Sequence, residues 1–394
     1  MSDNPSFVLQ AIDQVAYEQR PIPDISSEQV LIQVKKTGIC GSDVHYLVHG
    51  RIGDFVVNDP MVLGHESSGI VAKVGPNVKH LKVGDRVAVE PGATCRACEA
   101  CKVGRYNLCP DIVFAATPPY DGTLARFYRV PADLAYPLPD GVSLEDGAMM
   151  EPLAVGVHSV SNLGGFRAEQ SIAVFGCGPV GLLCMAVAKA LGAKRIIAVD
   201  IVPSRLEFAK EYAATHTYAP VAANEGESKV DCSKRNADAL KKKIGVEDRG
   251  LNAIDLVIDA SGAEASIQTA FHVVKFGGTF VQVGMGNPNV TINVGMLMVK
   301  ELVYKGSFRY GPGDYPLAIS LVAQGKINLK PLVTHRFALW CSLFKYTLNN
   351  LYTGRFPFNQ AIVAFIATRA GKGEDGKGVI KAIISGPDVS IDEV

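Results

Sequence analysis

The sequence predicts an α/β protein in two parts, a mostly β barrel-like region and a doubly wound parallel sheet. Short β-rich runs separated by Gly, Pro and Asp turns fill the chain from Phe7 to Ala88, the pattern of an irregular, mostly antiparallel barrel. After Pro152 apolar strands alternate with helical stretches, which means βαβ units on a parallel sheet. The chain has 394 residues, 48% hydrophobic and 20% charged, long enough for about two domains and a large buried core.

In the first part the strands are Val30 to Lys35, Gly69 to Val74 and Arg86 to Val89. In the second, Ser171 to Phe175 leads into a helix ending near Leu191, then come a strand from Arg195 to Val199 and a helix from Ser204. Strands from Asp255 to Asp259 and Gly278 to Val283 continue the alternation, and from about Thr291 loops and mixed elements are expected. The domain reading is therefore a barrel-like domain over 1–155, a parallel-sheet domain over 156–295 and a return to the first domain over 296–394.

Composition removes several function classes. With 39 Gly and 22 Pro and no tandem repeat, collagen-like, coiled-coil and disordered chains drop out. Thirty-nine basic residues balance 39 acidic ones without a long basic run, which disfavours a nucleic-acid or anionic-membrane partner. Met1 to Gln10 lacks the basic flank and apolar core of a secretory signal, and Asp392-Glu393-Val394 is no peroxisomal or lipidation tripeptide, so a cytoplasmic protein is expected. The uncharged stretch Ser171 to Ala188 is interrupted by Gly176, Gly178, Pro179 and Gly181 and reads as a buried strand turning into a buried helix.

That turn, Gly176-Cys177-Gly178-Pro179-Val180-Gly181, is a Gly-x-Gly-x-x-Gly motif between strand and helix, a Rossmann-type dinucleotide site. Gly176 permits the tight turn, Gly178 lets backbone approach a pyrophosphate, and Gly181 lets helix pack on strand. The helix N-terminus faces the phosphates. A tight turn alone can produce this pattern without a ligand, but Asp200 follows at the end of the next strand, where a carboxylate accepts from the adenosine ribose and repels a 2′-phosphate. NAD is expected over NADP, with Arg205 over the adenine face or paired locally.

Four of the nine cysteines, Cys95, Cys98, Cys101 and Cys109, lie on one short loop. Four thiolates so close can complete a closed tetrahedral zinc shell of the structural kind, and in a chain without an export signal a metal is the better reading than disulfides. A second, scattered set comprises Cys40, the Gly64-His65-Glu66 triplet and Glu151. Each alone is more often a core cysteine, a capped histidine or a solvated acid.

Gly64-His65-Glu66 followed by Gly69, Val71 and Gly75, the four-cysteine loop and the Gly176 turn together resemble the zinc-dependent medium-chain dehydrogenases over nearly the whole chain. Cys40 to Tyr46 (Cys-Gly-Ser-Asp-Val-His-Tyr), Phe114 to Asp121 and Phe308-Arg309-Tyr310 resemble the polyol branch of that family, which acts on sorbitol and xylitol, and above all its fungal xylitol-oxidising members. The resemblance implies a GroES-like catalytic domain beside the Rossmann domain, two zinc ions per chain, NAD and a homo-oligomer, dimer or tetramer. It implies a catalytic zinc held by Cys40, His65 and Glu66 with a water, Glu151 standing where alcohol dehydrogenases of the family place cysteine; which of Glu66 and Glu151 ligates directly is open. A carboxylate and water in place of thiolate leave a harder zinc, suited to two neighbouring hydroxyls.

The implied reaction is oxidation of a secondary alcohol to a ketone, xylitol to D-xylulose, with L-arabinitol or sorbitol as alternatives, in pentose catabolism. Ser42 and His45 match the family's proton relay. Tyr46, Phe114, Thr117, Glu151, Arg309 and Tyr310 match positions lining its polyol pocket. His49, His80, His158 and His272 match nothing and are read as structural or solvated, as are Cys177, Cys184, Cys232 and Cys341. A non-catalytic nucleotide-binding descendant would have lost metal ligands, and none is lost. From about Arg336 to Phe358 the chain departs from the family: the segment is aromatic, holds Trp340, and is longer than the family's turn. It is either a lineage insertion or an unspliced intron, and as protein its apolar surface must be buried or paired.

Overall fold

Alternation of Val30, Ile32 and Val34 gives the Gln29–Gly38 strand a fully buried apolar face, packed with Val71, Val87, Val89 and Val130 as a half-buried strand requires. The computed structural model describes residues 4–338, 345–347, 360–387 and 389. The chain divides into two units, Met1–Glu151 with Ala318–Val394, and Pro152–Leu317.

In the first unit the Gln29–Gly38 strand is the common partner. Along one side it pairs antiparallel with Glu66–Val74, which continues to Arg86–Val89 and Ala135–Pro137. On its other side it meets Phe127–Pro131 and then Lys381–Ser385, the latter also pairing in parallel with Val333–Ala338. A second sheet holds Met61–Val62, Pro5–Ala11, Gln14–Gln19 and Lys345–Thr347 in that order. The strands expected near Val30, Gly69 and Arg86 are all present. Within the segment flagged as a departure, Lys345–Thr347 pairs antiparallel with Gln14–Ala16; residues 339–344 and 348–359, including Trp340 and Cys341, lie outside the described residues.

In the second unit six strands run parallel in the order His216–Tyr218, Arg195–Val199, Ser171–Phe175, Ile254–Asp259, Val274–Gln282, Val303–Gly306. This is the doubly wound arrangement, whose order reverses beside the first strand and opens a ligand crevice at the strands' carboxyl ends. Ser171–Phe175 is buried throughout and turns at Gly176–Gly178 into the Pro179–Ala190 helix, with proline in its first turn. No helix among the described residues is long and apolar enough to cross a membrane.

The stretch after Thr291 holds mixed elements, as expected, but the domain boundary lies later than expected. A short helix, Val294–Val299, precedes the sixth strand, and the chain re-enters the first unit only at Ala318; residues 296–317, expected in the return segment, belong to the second unit. Val303, Tyr304 and Gly306 on this strand are exposed, so it lacks the apolar run that marks a buried parallel strand.

Phe271 stacks on Phe280 with ring centroids 5.1 Å apart and an interplanar angle of 4°, and on Tyr304 at 5.7 Å. Phe271→Ala should cost about 3–5 kcal/mol, read as a lower midpoint in urea denaturation, with the zinc content of the folded protein unchanged because both cysteine-containing sets lie in the other unit.

Candidate metal and nucleotide sites

Cys40 stands immediately before the Gly41–His49 helix, and Asp43, in its first turn, accepts from the Cys40 backbone N–H at 3.2 Å. The other Asp43 oxygen accepts from the Gly64 N–H at 2.9 Å and faces His65 Nδ1 at 3.5 Å. The imidazole is thereby oriented with Nε2 left as a metal donor, as carboxylates behind ligating histidines do. Cys40 Sγ, a His65 nitrogen and a Glu66 oxygen lie within 4.8 Å of one another.

Glu66 is placed by strand register. It pairs with Gly38, which pairs on its other side with Ile383. A Cβ at position 38 would collide with Glu66 Oε2, so only glycine lets the carboxylate fold across the strand. From Ile383's strand Lys381 reaches over, donating to Glu66 Oε1 and Oε2 at 2.7 and 2.6 Å and to the Ile39 carbonyl at 3.0 Å. Burial opposes the charge on Lys381, but Glu66 outweighs it and the ammonium's pKa is raised. Burial likewise opposes charge on Asp43 and His65; each supports the other, so Asp43 sits below the usual carboxylate range and His65 well above the usual imidazole value. A cysteine sulfur, an imidazole and a carboxylate brought this close suit zinc.

Glu151 is buried in the first turn of the Met150–Val157 helix, near enough to favour the Lys381 charge, but outside the close Cys40–His65–Glu66 set. Phe114 lies on His65 with ring centroids 5.8 Å apart, and Thr117 is half-buried. Ser42 is half-buried and His45 exposed one turn later on the same helix, its ring 5.4 Å from His49. Tyr46 is buried in the apolar core with Phe7, Leu63 and Phe365. Arg309 and Tyr310 belong to the second unit.

Cys95, Cys98, Cys101 and Cys109 bring their sulfurs within 4.8 Å of one another. Backbone N–H groups of Ala97 and Cys98 lower Cys95 to about 7. Cys98, despite a backbone hydrogen bond from Cys101, is pushed up to about 12 by burial and its sulfur neighbours. Cys98 and Cys109 both resist deprotonation, so a cation is needed to hold the sulfurs together as thiolates. The loop is tied down by Glu90, which accepts from Tyr106 at 2.7 Å and Tyr136 at 2.8 Å.

In the second unit Gly176 has φ +95°, and a Cβ at Gly181 would collide with the Gly176 carbonyl oxygen; at Gly178 nothing lies within 4 Å, leaving the space a pyrophosphate would take beside Pro179 and Val180. Asp200 is buried and braces the turn: Oδ2 accepts from the Cys177 N–H at 2.7 Å, Oδ1 from the Val202 N–H at 2.9 Å. Arg205 is exposed on the following helix.

Three residues absent from the expected site do much of the positioning. Asp43 lies within the Cys40 to Tyr46 motif, and its place three residues after Cys40 is a capping-box signal. Lys381 carries no local signal. Asp259, fully buried with its pKa raised by burial, accepts from Ser261 Oγ, Gln282 Nε2 and the Gly262 N–H and so shapes the loop against Gly176; an acid ending an apolar strand was the available cue.

The family model for the alcohol dehydrogenase GroES-like domain matches residues 26–140 and that for the zinc-binding dehydrogenases matches residues 179–324. The chain belongs to the zinc-dependent medium-chain dehydrogenases. Within the family its similarity is to D-xylulose reductases: 53% identity over 386 residues, 98% of this chain and 97% of the relative, to the probable D-xylulose reductase A of Neosartorya fischeri. The D-xylulose reductase A of Aspergillus niger is 52% identical over 388 residues, 98% of each chain. Among solved structures, L-idonate 5-dehydrogenase of Escherichia coli aligns with a TM-score of 0.78 at 28% identity over 97% of this chain and 98% of its own.

Metal analysis should return two zinc ions per folded chain. Cys98→Ser with Cys101→Ser should lower thermal stability and leave one zinc, whereas Cys40→Ser should abolish turnover while NAD binding, measured by fluorescence titration, persists. One zinc in the unaltered chain would refute the closed site.

Proposed function

We propose that the protein is an NAD-dependent polyol dehydrogenase that oxidises xylitol to D-xylulose in pentose catabolism. The observation that carries this reading is the Cys40, His65 and Glu66 donor set, whose third member is a carboxylate held by Lys381. Zinc and NAD are its cofactors: the metal makes a hydroxyl acidic near neutral pH and the nicotinamide accepts hydride. The residues around them supply binding, orientation and proton movement.

In this reading Cys40, His65 and Glu66 hold the catalytic zinc, with Glu151 beside it, and the four-cysteine loop holds the structural one. Ser42 and His45, one helical turn apart with His45 in water, carry the alcohol proton outward. Gly176, Gly178, Pro179, Val180 and Gly181 cradle the pyrophosphate, Asp200 takes the ribose on lone pairs left free by its backbone bonds, and Arg205 lies toward the adenine. Phe114, Thr117, Tyr46, Glu151, Arg309 and Tyr310 shape the polyol site; Tyr46, deep in the core, does so by supporting its helix. The zinc domain is the unit formed by residues 1–151 and 318–394, and the nucleotide domain is residues 152–317. Free thiol ligands fit a reducing cytoplasm. Exposed Val294, Met298, Val299 and the Val303–Gly306 edge support a homo-oligomer, dimer or tetramer.

Initial rates on a panel of pentitols and hexitols with each cofactor test the assignment. Xylitol with NAD should give the highest kcat/KM; sorbitol or L-arabinitol ahead of xylitol would overturn the substrate, and NADP equal to NAD would overturn the role of Asp200. Because Asp200 also braces the turn, Asp200→Ala should weaken NAD binding, and adding Ile201→Arg at an exposed position should move preference toward NADP. Arg309→Ala should cost about 1–3 kcal/mol in kcat/KM for xylitol, the loss of a partner for a buried hydroxyl, and less for a secondary alcohol without outer hydroxyls.

A further inference from the structure

His158, which sequence alone leaves without a role, begins a π-helical stretch, His158–Leu163, that continues the Met150–Val157 helix. Widened turns of this kind need a reason to persist and occur often at functional sites. Here the stretch faces the segment that carries Arg309 and Tyr310. His158 Nδ1 is 2.8 Å from Asp314 Oδ2, Asn162 Nδ2 donates to Asp314 Oδ1 at 2.6 Å, and the Gly311 N–H donates to Asp314 Oδ2 at 2.6 Å. Asp314 is 1% exposed. On the other side of the segment Ser159 Oγ meets Ser307 Oγ at 3.0 Å and Lys305 Nζ donates to the Leu163 carbonyl at 2.7 Å.

Residues 305–314 are thus gripped at both ends by one helical stretch, and between the grips Arg309 has φ +59°. A non-glycine residue holds that left-handed conformation only where its surroundings over-determine it. Tyr310, buried, packs edge-on against Tyr315 with ring centroids 5.1 Å apart, so the backbone on the far side of Arg309 is also anchored.

We propose that His158, Asn162 and Asp314 are positioning residues for polyol specificity: their buried network holds the Ser307–Gly313 loop in the strained form that sets the direction of Arg309. The proposal rests on the reading of Arg309 as a ligand of the substrate's outer hydroxyls. None of the three touches substrate. They act through Gly311 and the loop backbone.

The test uses the full-length, zinc-loaded enzyme with xylitol and NAD. Asn162→Ala, which leaves the His158–Asp314 pair in place, and His158→Ala should each raise KM for xylitol roughly tenfold with a much smaller change in kcat. NADH affinity should be unaltered. His158→Asn, whose amide nitrogen occupies the place of Nδ1, should restore most of the loss; retention of the defect would mean that the Asp314 bond is not what matters. In a double-mutant cycle, adding Asn162→Ala to Arg309→Ala should cost little beyond Arg309→Ala alone. If Arg309→Ala raises KM but the network variants do not, or if the effects multiply independently, the positioning role is refuted and the reading of Arg309 stands. If Arg309→Ala leaves KM for xylitol unchanged, the reading of Arg309 falls and the proposal with it.

Discussion

Glu66 and Lys381 meet across Gly38, and the metal-ligand set depends on that meeting. Two opposite charges, both nearly sealed from water, are costly to bury and hold only because each satisfies the other. The Gln29–Gly38 strand makes it possible by pairing with both of their strands at once, so a one-residue slip in either register would turn a charged side chain to the wrong face. Without the pair, Glu66 would be an uncompensated buried anion. With it, the carboxylate keeps lone pairs for a metal while the lysine limits how much negative charge the pocket must carry. Asp43 does the corresponding work for His65, from the same short helix that positions Cys40.

The two cysteine-bearing sets follow different physical logics. The four-cysteine loop is local: its donors fall within fifteen residues and its geometry comes from tight turns and backbone N–H groups aimed at sulfur, with Glu90 fastening it to the sheet. The Cys40 set is global, and its donors and their supports come from residues 40, 43, 66 and 381. A local site can form as soon as its turn forms; a global one needs the whole antiparallel unit. That difference fits the proposed roles, the first in stability and the second in chemistry, which requires an incomplete shell. In the parallel unit the nucleotide turn is again local, but its rigidity is not. Asp200, two dozen residues on, grips the backbone of Cys177, so the acid proposed to answer the ribose also fixes the turn proposed to meet the phosphates.

Legibility in the sequence tracks this division. Parallel strands with apolar runs, the glycine turn and the cysteine spacing are readable because periodicity and short spacing encode them directly. The Val303–Gly306 strand is not readable, since its exposed Val, Tyr and Gly give no apolar run, and its strand character comes from pairing with Val274–Gln282. His158 has no neighbouring partner in sequence; Asp314, more than 150 residues away, gives it one. Tyr46 sits in a motif shared with polyol dehydrogenases, yet its ring is in the core, because on a helix the residue beside a ligand faces another direction.

By itself the sequence determined the class of fold, the dinucleotide turn and the four-cysteine loop, because these rest on residue chemistry and on short spacings, while Cys40, His65 and the two acids were brought together only by resemblance to a family. Tertiary structure alone decided which acid joins the close donor set and which stands outside it, what neutralises Glu66, what orients His65, and how the segment carrying Arg309 is held. Those answers are set by strand register and by contacts hundreds of residues apart, and neither quantity leaves a local trace in the order of amino acids.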